Sequence, residues 1–550
     1  MSPRLTLLPL LLAFSVSAQT KKFIEVGWDC PDTTFLRQHH QQMQAEAPFD
    51  GVMLQVDLKT PEGTRIRSDW AWDNTAWKRE HLRPALADLQ ACKLTRFTDN
   101  FIRINASPGT LAWDDEAGWK NLAEKLGSCA WLTHEAGLKG LIFDPESYGT
   151  KQFRFDPQKG RTFDQAVDLA RKRGVQVMRA IAAEHPDCTL LAFWLNSINI
   201  KAGAADNSRD ILIVEDYGLL PAFINGLLDA MPGTMTLIDG CENGYYLDGP
   251  LEYLRVASDM RGWLSPCARL IAPENREKWR SRGQAGFGFY LDMYVNEPGN
   301  RYYRGPKVGG TRLDHLRDNL TAALGAADQY VWVYGEQCRW WKDMSAKQLS
   351  NAGSLEKTVG KGRLWEETMP GLPAVIQQVR DPLAHAKAFI ARNKPENLAQ
   401  NGDFAKKAEK SALPDQFGSW QDDKSKGKFG WDDKVGDGSA RASGVLAGCF
   451  IQSIPAKAGQ AFYIQADAKA TGSSVASLMI RWQKADSTWT RWDVDQTFNF
   501  SGQGEWRQSG GVVTVPRDAE KLVVLLEAHN QLSADDVVWF DNLKVYRIAD

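Results

Sequence analysis

Between residues 22 and 337, short apolar runs rich in β-branched and aromatic side chains alternate with longer stretches whose apolar residues recur at helical spacing. The runs are KFIEVGWD (22–29), FDGVMLQVD (49–57), NFIRINAS (100–107), KGLIFDPE (139–146), TLLAFWLNS (189–197), TMTLIDGCE (234–242), GFGFYLDMY (286–294) and QYVWVYGEQ (329–337). Runs of this length between polar loops predict buried strands, and the stretches at 162–186 and 219–233 predict amphipathic helices. Strand–helix repetition over about 22–395 predicts an α/β fold, a parallel (β/α)8 or TIM barrel. ILIVEDYG (211–218) is a further strand candidate in the count. After ARNKPE (391–396) the pattern becomes short alternating strands with Gly-rich turns, predicting an all-β domain. The expected organisation is a signal peptide at 1–18, a barrel at 19–396 and a β-sandwich at 397–550.

A chain of 550 residues with 43% hydrophobic content is long enough for two cores. Lys plus Arg (66) against Asp plus Glu (68) leaves no basic surplus, which argues against nucleic acid as a partner. The 21 Trp against 13 Tyr change the picture more, because indoles stack on sugar rings as readily as they fill cores. At the N-terminus, Arg4, the apolar run Leu5 to Phe14 and the small residues of SVSAQT predict a secretory signal cut after Ala18. No Cys follows that cut, so no lipid anchor is expected, and no later run is long enough to span a bilayer. A periplasmic or extracellular location follows as an expectation. Eight scattered cysteines without a CxxC pair give no zinc signature and leave disulfide pairing open.

A barrel of this kind carries its chemistry at the carboxyl ends of its strands. Those ends read Asp29, Asp57, Asn105, Asp144, Glu146, Asn196, Asp239, Glu242, Asp292 and Glu336. Aromatic residues stand beside them: Trp28, Tyr148, Trp194, Tyr245, Tyr246, Tyr290, Tyr294, Tyr334, Trp340 and Trp341. Carboxylates among flat rings point to a poly- or oligosaccharide, with Trp28, Asp29, Tyr148, Trp194, Asn196, Asp239, Tyr290, Asp292, Trp340 and Trp341 as substrate contacts.

The C-terminal segments NLAQNGDF (397–404), CFIQSIPAKAGQAFYIQADAKATG (449–472), GEWRQSGGVVTVPRDAEKLVVLLE (504–527) and VVWFDNLKVYRI (537–548) resemble the carbohydrate-binding jelly rolls appended to secreted polysaccharide hydrolases. The resemblance implies a structural calcium at Asp403 and Asp541 and leaves Trp482, Trp489 and Trp492 as either platform or strand residues.

Glycoside hydrolysis needs a proton donor and a second carboxylate that attacks carbon or activates water. Glu146, at the end of the fourth run, stands where many barrel glycosidases keep the acid, and Glu336, at the end of the eighth, is placed to face it. Asp144, one residue from Glu146 across Pro145, would raise its neighbour's pKa. No catalytic cofactor is called for. Asp-x-Glu also resembles the end of the chitinase-type signature, in which the Asp orients a substrate acetamido group. Here the two earlier aspartates of that signature fall on Lys139 and Ile142. Asp-Pro-Glu as a plain helix-capping turn, a glycan-binding protein without catalysis, and another carbohydrate-active reaction all remain open at this stage.

Overall fold

All eight apolar runs supply strands in the computed structural model, which describes residues 21–107, 111–146, 148, 151–307, 309–344 and 363–548. The expected signal segment lies outside the described residues. The strands are β1 (Lys22–Gly27), β2 (Gly51–Leu54), β3 (Phe101–Asn105), β4 (Gly140–Asp144), β5 (Thr189–Ala192), β6 (Thr236–Asp239), β7 (Gly283–Ala285), β8 (Phe287–Tyr290) and β9 (Tyr330–Gly335). They form one nine-stranded sheet in the order β8-β9-β1-β2-β3-β4-β5-β6-β7, with every pairing parallel. The end strands β7 and β8 are separated in the chain by Gly286 alone, so the sheet is nearly closed as a barrel. Gly286 suits this break. Its N–H bonds the Asp239 carbonyl at 2.8 Å, and a Cβ there would meet the Tyr330 carbonyl oxygen at 2.9 Å.

Strands covered on both faces read as near-continuous apolar runs, and Phe23, Ile24, Val52, Leu54, Ile102, Leu141, Leu191, Ile238 and Val331 are all fully buried. Helices Glu116–Glu135, Phe163–Glu184 and Leu220–Ala230 pack side by side in sequence order, the first of them against β3 and β4. Thr162 starts the second of these by accepting the Gln165 N–H, and Gln165 returns the bond to the Thr162 N–H. ILIVEDYG is not a strand. Its start lies in the helix Ser208–Leu212, where the Asn207 side chain accepts the Arg209 N–H at 3.2 Å, so local capping outweighs β-propensity.

The chain divides into two compact units, one up to Arg380 and one from Asp381. That division precedes the expected 396/397 boundary because helix Pro382–Asn393 belongs to the second unit, with Ala386 buried beside Tyr463 and Ile548. The second unit holds two five-stranded antiparallel sheets around Phe404, Phe450, Trp482 and Phe540. Asn397 ties its opening segment to the last strand, accepting from the Val545 N–H (2.8 Å) and donating to the Leu543 carbonyl (3.0 Å). The eight cysteines are all free thiols, seven of them buried. Among the described residues no helix is long and apolar enough to cross a membrane.

Candidate active site

The short stretch Asp144-Pro145-Glu146 leaves β4 at the rim of the sheet. Asp144 is buried; its Oδ1 accepts the Glu146 backbone N–H at 2.9 Å, and its Oδ2 faces Arg103 Nη2 at 3.4 Å. Arg103 comes from neighbouring β3 and is itself steadied by Asn105 Oδ1, which accepts its Nε–H at 2.9 Å. Asp144 therefore fixes the chain that carries Glu146. Burial pushes its carboxyl up to about 6 against the pull of Arg103. Burial also raises half-buried Glu146; a hydrogen bond from Tyr148 and the Arg103 charge oppose this, and the charge of Glu336 adds to it.

Glu336 follows β9 directly. Its Oε1 accepts the Tyr334 O–H at 2.8 Å, and Tyr334 in turn accepts from Trp28 Nε1. The backbone behind it is held by Asp292, whose two carboxylate oxygens accept the Glu336 N–H (2.8 Å) and the Gln337 N–H (2.9 Å). Burial pushes Asp292 up to about 7, and its backbone donors oppose the shift.

A third carboxyl reaches the same space from beyond β6. Asp239 closes that strand, and Cys241 then takes a left-handed conformation (φ 38°) that starts the short turn Glu242–Tyr246. The Glu242 N–H bonds the Phe193 carbonyl at 3.0 Å. Burial, followed by the charges of Glu146, Asp144 and Glu336, pushes the Glu242 carboxyl up to about 9. Sequence position at the strand end reads Glu242 as a substrate ligand or loop residue rather than a catalyst, and the structure places it in the cavity wall. Arg103 was missed, although its place two residues before Asn105 on one strand puts both on the same face.

Asp144, Glu146, Glu242 and Glu336 line one cavity of about 580 Å³, with Arg103 as its only cationic lining residue among those described. Its aromatic side is a tyrosine wall. Tyr245 and Tyr334 stack at 5.9 Å, Tyr290 sits 5.0 Å from the first and 5.4 Å from the second, and Tyr302 meets Tyr290 edge-on at 5.5 Å. Phe193 stacks on Trp332 at 4.4 Å, and both line the cavity. Burial keeps the Tyr245 and Tyr334 phenols protonated, so they act as hydrogen-bond donors.

Of the expected substrate contacts, Trp28, Tyr148 and Tyr290 line the cavity. The others do not. Asp239 is fully buried and braces the loop after β5, accepting from the N–H groups of Leu195 (3.0 Å), Ser197 (2.8 Å) and Cys241 (3.3 Å) and from Ser197 Oγ (2.5 Å). Asp292 braces as described above, and Asp29 accepts the Trp340 N–H at 2.6 Å beside fully buried Glu25, which burial and the Asp29 charge hold protonated. Trp194 is buried edge-on to Tyr217, and Asn196 is fully buried with its amide donating to the Cys267 carbonyl at 3.5 Å. Trp341 is 4% exposed, while Trp340 packs against Phe49 and Trp365, so both belong to the barrel's packing. Asp57 is paired bidentately with Arg65.

In the second unit Trp482 is fully buried and donates to the Val494 carbonyl at 3.1 Å, which makes it a core residue. Trp489 stacks under Arg481 at 4.2 Å and Trp492 is 80% exposed. Asp541 is raised by burial and then by the charges of Asp467, Asp403 and Asp437. That crowding is hard-oxygen chemistry of the kind calcium takes. Among the described residues, however, no three acidic, His or Cys side chains converge as a metal site.

No family model and no curated protein matches this chain. Among solved structures it is similar to the enzymatically active domain of tailspike protein 4 of bacteriophage CBA120, at 16% identity and a TM-score of 0.22 over 28% of this chain and 21% of that one. A CBM4 structure gives 20% identity and 0.22 over 27% and 98%. An arabinose-bound GH51 α-L-arabinofuranosidase gives 12% identity and 0.22 over 28% and 27%. Similarity at this level does not bear on the chemistry of the cavity.

Proposed function

We propose that the protein is a secreted glycoside hydrolase whose cavity cleaves a glycosidic bond of a poly- or oligosaccharide, with Glu146 and Glu336 as reacting carboxyls and Asp144 as the residue that positions Glu146. The observation that carries this reading is the convergence of carboxyls from the ends of three different strands on one tyrosine-walled cavity. Glu336, bonded by the Tyr334 hydroxyl, suits the carboxylate that attacks the anomeric carbon or takes a proton from water. One cation among four carboxyls favours a neutral sugar over an acidic one. The acetamido-assisted alternative needs Asp144 to face the substrate, whereas its oxygens already serve the Glu146 N–H and Arg103. In the same reading Gly283–Tyr290 is one strand interrupted at Gly286, which makes the sheet a (β/α)8 barrel, and the second unit is a jelly roll that binds glycan through exposed indoles such as Trp492. Export rests on the N-terminal sequence, and calcium at Asp403 and Asp541 rests on the resemblance to carbohydrate-binding jelly rolls alone.

The test is turnover of a panel of polysaccharides and aryl glycosides by the full chain, with product anomers followed by NMR. Activity that falls about 10³-fold or more in both Glu146→Gln and Glu336→Gln supports the reading. Hydrolysis that survives both substitutions refutes it.

A further inference from the structure

The carboxyls around the cavity are not equivalent. Asp144 accepts a backbone N–H and faces Arg103, Glu146 is bonded by Tyr148, Glu336 by Tyr334, and Asp292 and Asp239 by backbone N–H groups. Each therefore has donors or a cation that favour its anion. Glu242 has neither among the described residues. What faces it is acidic or neutral: Glu146 and Asp144 from the end of β4, Glu336 from β9, Tyr245 in its own turn, Cys241 before it, and Tyr302 from the loop after β8. It also lines the cavity rather than the core, on a turn entered through the left-handed Cys241.

We propose that Glu242 is the proton donor of the glycosidase reaction, with Glu146 and Glu336 as the carboxyls that act on the anomeric carbon or on the attacking water. This rests on the glycosidase reading given above. A carboxyl with no protein donor to satisfy its anion and three carboxyls around it keeps its proton at neutral pH, and a general acid must hold one before the bond breaks. Desolvation of half-buried Glu242, followed by the charges of Glu146, Asp144 and Glu336, pushes its carboxyl up to about 9, in the direction the geometry requires. In the reaction the proton passes from Glu242 to the glycosidic oxygen as the C1–O bond breaks, and the bonding pair stays on that oxygen. The leaving group departs as an alcohol. Water then gives its hydroxyl to C1 and its remaining proton to a carboxylate of the set, so the sum consumes one water.

Two measurements on the full chain separate this proposal from the reading beneath it. Infrared difference spectra of wild type minus Glu242→Gln at pH 7.5, without substrate, should show a carboxylic-acid C=O band that belongs to Glu242. Absence of that band overturns the proposal whatever the substrate is. With the aryl glycosides of the activity panel, Glu242→Gln should lose about 10³-fold or more on poor leaving groups but less than about tenfold on dinitrophenyl glycosides, which need no proton. It should also lose the alkaline limb of the kcat/KM profile. Glu146→Gln should lose activity equally on both substrate types. Uniform loss in Glu242→Gln, or leaving-group-dependent loss in Glu146→Gln instead, overturns the assignment. Glu242→Asp, which retains an acid, serves as the folding control and should keep a measurable alkaline limb. If no glycoside is turned over by wild type while the infrared band is present, the glycosidase reading fails and the protonated state of Glu242 stands.

Discussion

Outside the cavity lining, Asp29, Asp239 and Asp292 are buried and bonded to backbone N–H groups; in its wall, Glu146, Glu242 and Glu336 reach open space. One methylene separates the two sets chemically. A short carboxylate leaving a strand finds the N–H groups of its own and neighbouring loops, whereas the longer one clears them. Asp144 joins the first set even though it touches the cavity, because it spends an oxygen on the Glu146 N–H. At this rim, aspartate braces and glutamate reaches.

Exchanging the two residue types separates bracing from reach. Glu146→Asp keeps the charge and withdraws the oxygens by about one bond length, so hydrolysis should fall about 10²-fold or more while the unfolding midpoint barely moves. An enzyme that tolerates the shortening would show that reach is not what matters. Asp239→Ala should act in the opposite sense. It strands the N–H groups of Leu195, Ser197 and Cys241 and the Ser197 hydroxyl, and urea unfolding should register a loss of about 3–5 kcal/mol. Trp341→Ala belongs with the bracing layer as well, with a cost of about 3 kcal/mol from lost packing and an unchanged KM. A raised KM at unchanged stability would return Trp341 to the substrate.

Smaller effects sharpen the picture further. The Glu242 carboxyl sits at about 9 in the folded chain, above the ordinary value of 4.5, so the folded state keeps a proton that the unfolded chain has released. That difference lowers stability as pH climbs from about 4.5 to about 9. Glu242→Gln should remove this slope, and its Tm should rise relative to wild type by a few degrees between pH 5 and pH 9, partial exposure moderating the gain. The smallest expected change is in the second unit. Calcium should raise its Tm by about 1–2 °C by relieving the repulsion around Asp541, and a chelator should reverse this.

Much of this was legible in the sequence. All eight strand runs, the acidic rim and the change to alternating strands follow from periodicity. Trp194 and Asn196 were misplaced because the strand of their run stops at Ala192, and the turn Asn196–Asn199 then folds both residues inward. Arg103 lies two residues inside the strand end at Asn105, beyond the last one or two positions where a barrel rim is expected. Glu242 was visible as a letter but not as an acid, since its state depends on carboxyls that arrive from β4 and β9, far away in the chain. The division between bracing Asp and reaching Glu was available from side-chain length alone.

The pairing of β1 with β9 has a consequence for the order of assembly. Lys22 lies opposite Tyr330, and six consecutive residues of each strand are in register. The first strand to be synthesised therefore waits for about three hundred residues before its outer neighbour exists, leaving one hydrogen-bonding edge without its final partner throughout. The cavity inherits that delay. Trp28 follows β1 and Glu336 follows β9, so the contact from Trp28 through Tyr334 to Glu336 forms only when the first and last strands in the chain pair. A chain halted before residue 330 lacks both the strand that pairs with β1 and Glu336, one of the three carboxyls assigned to the proposed reaction.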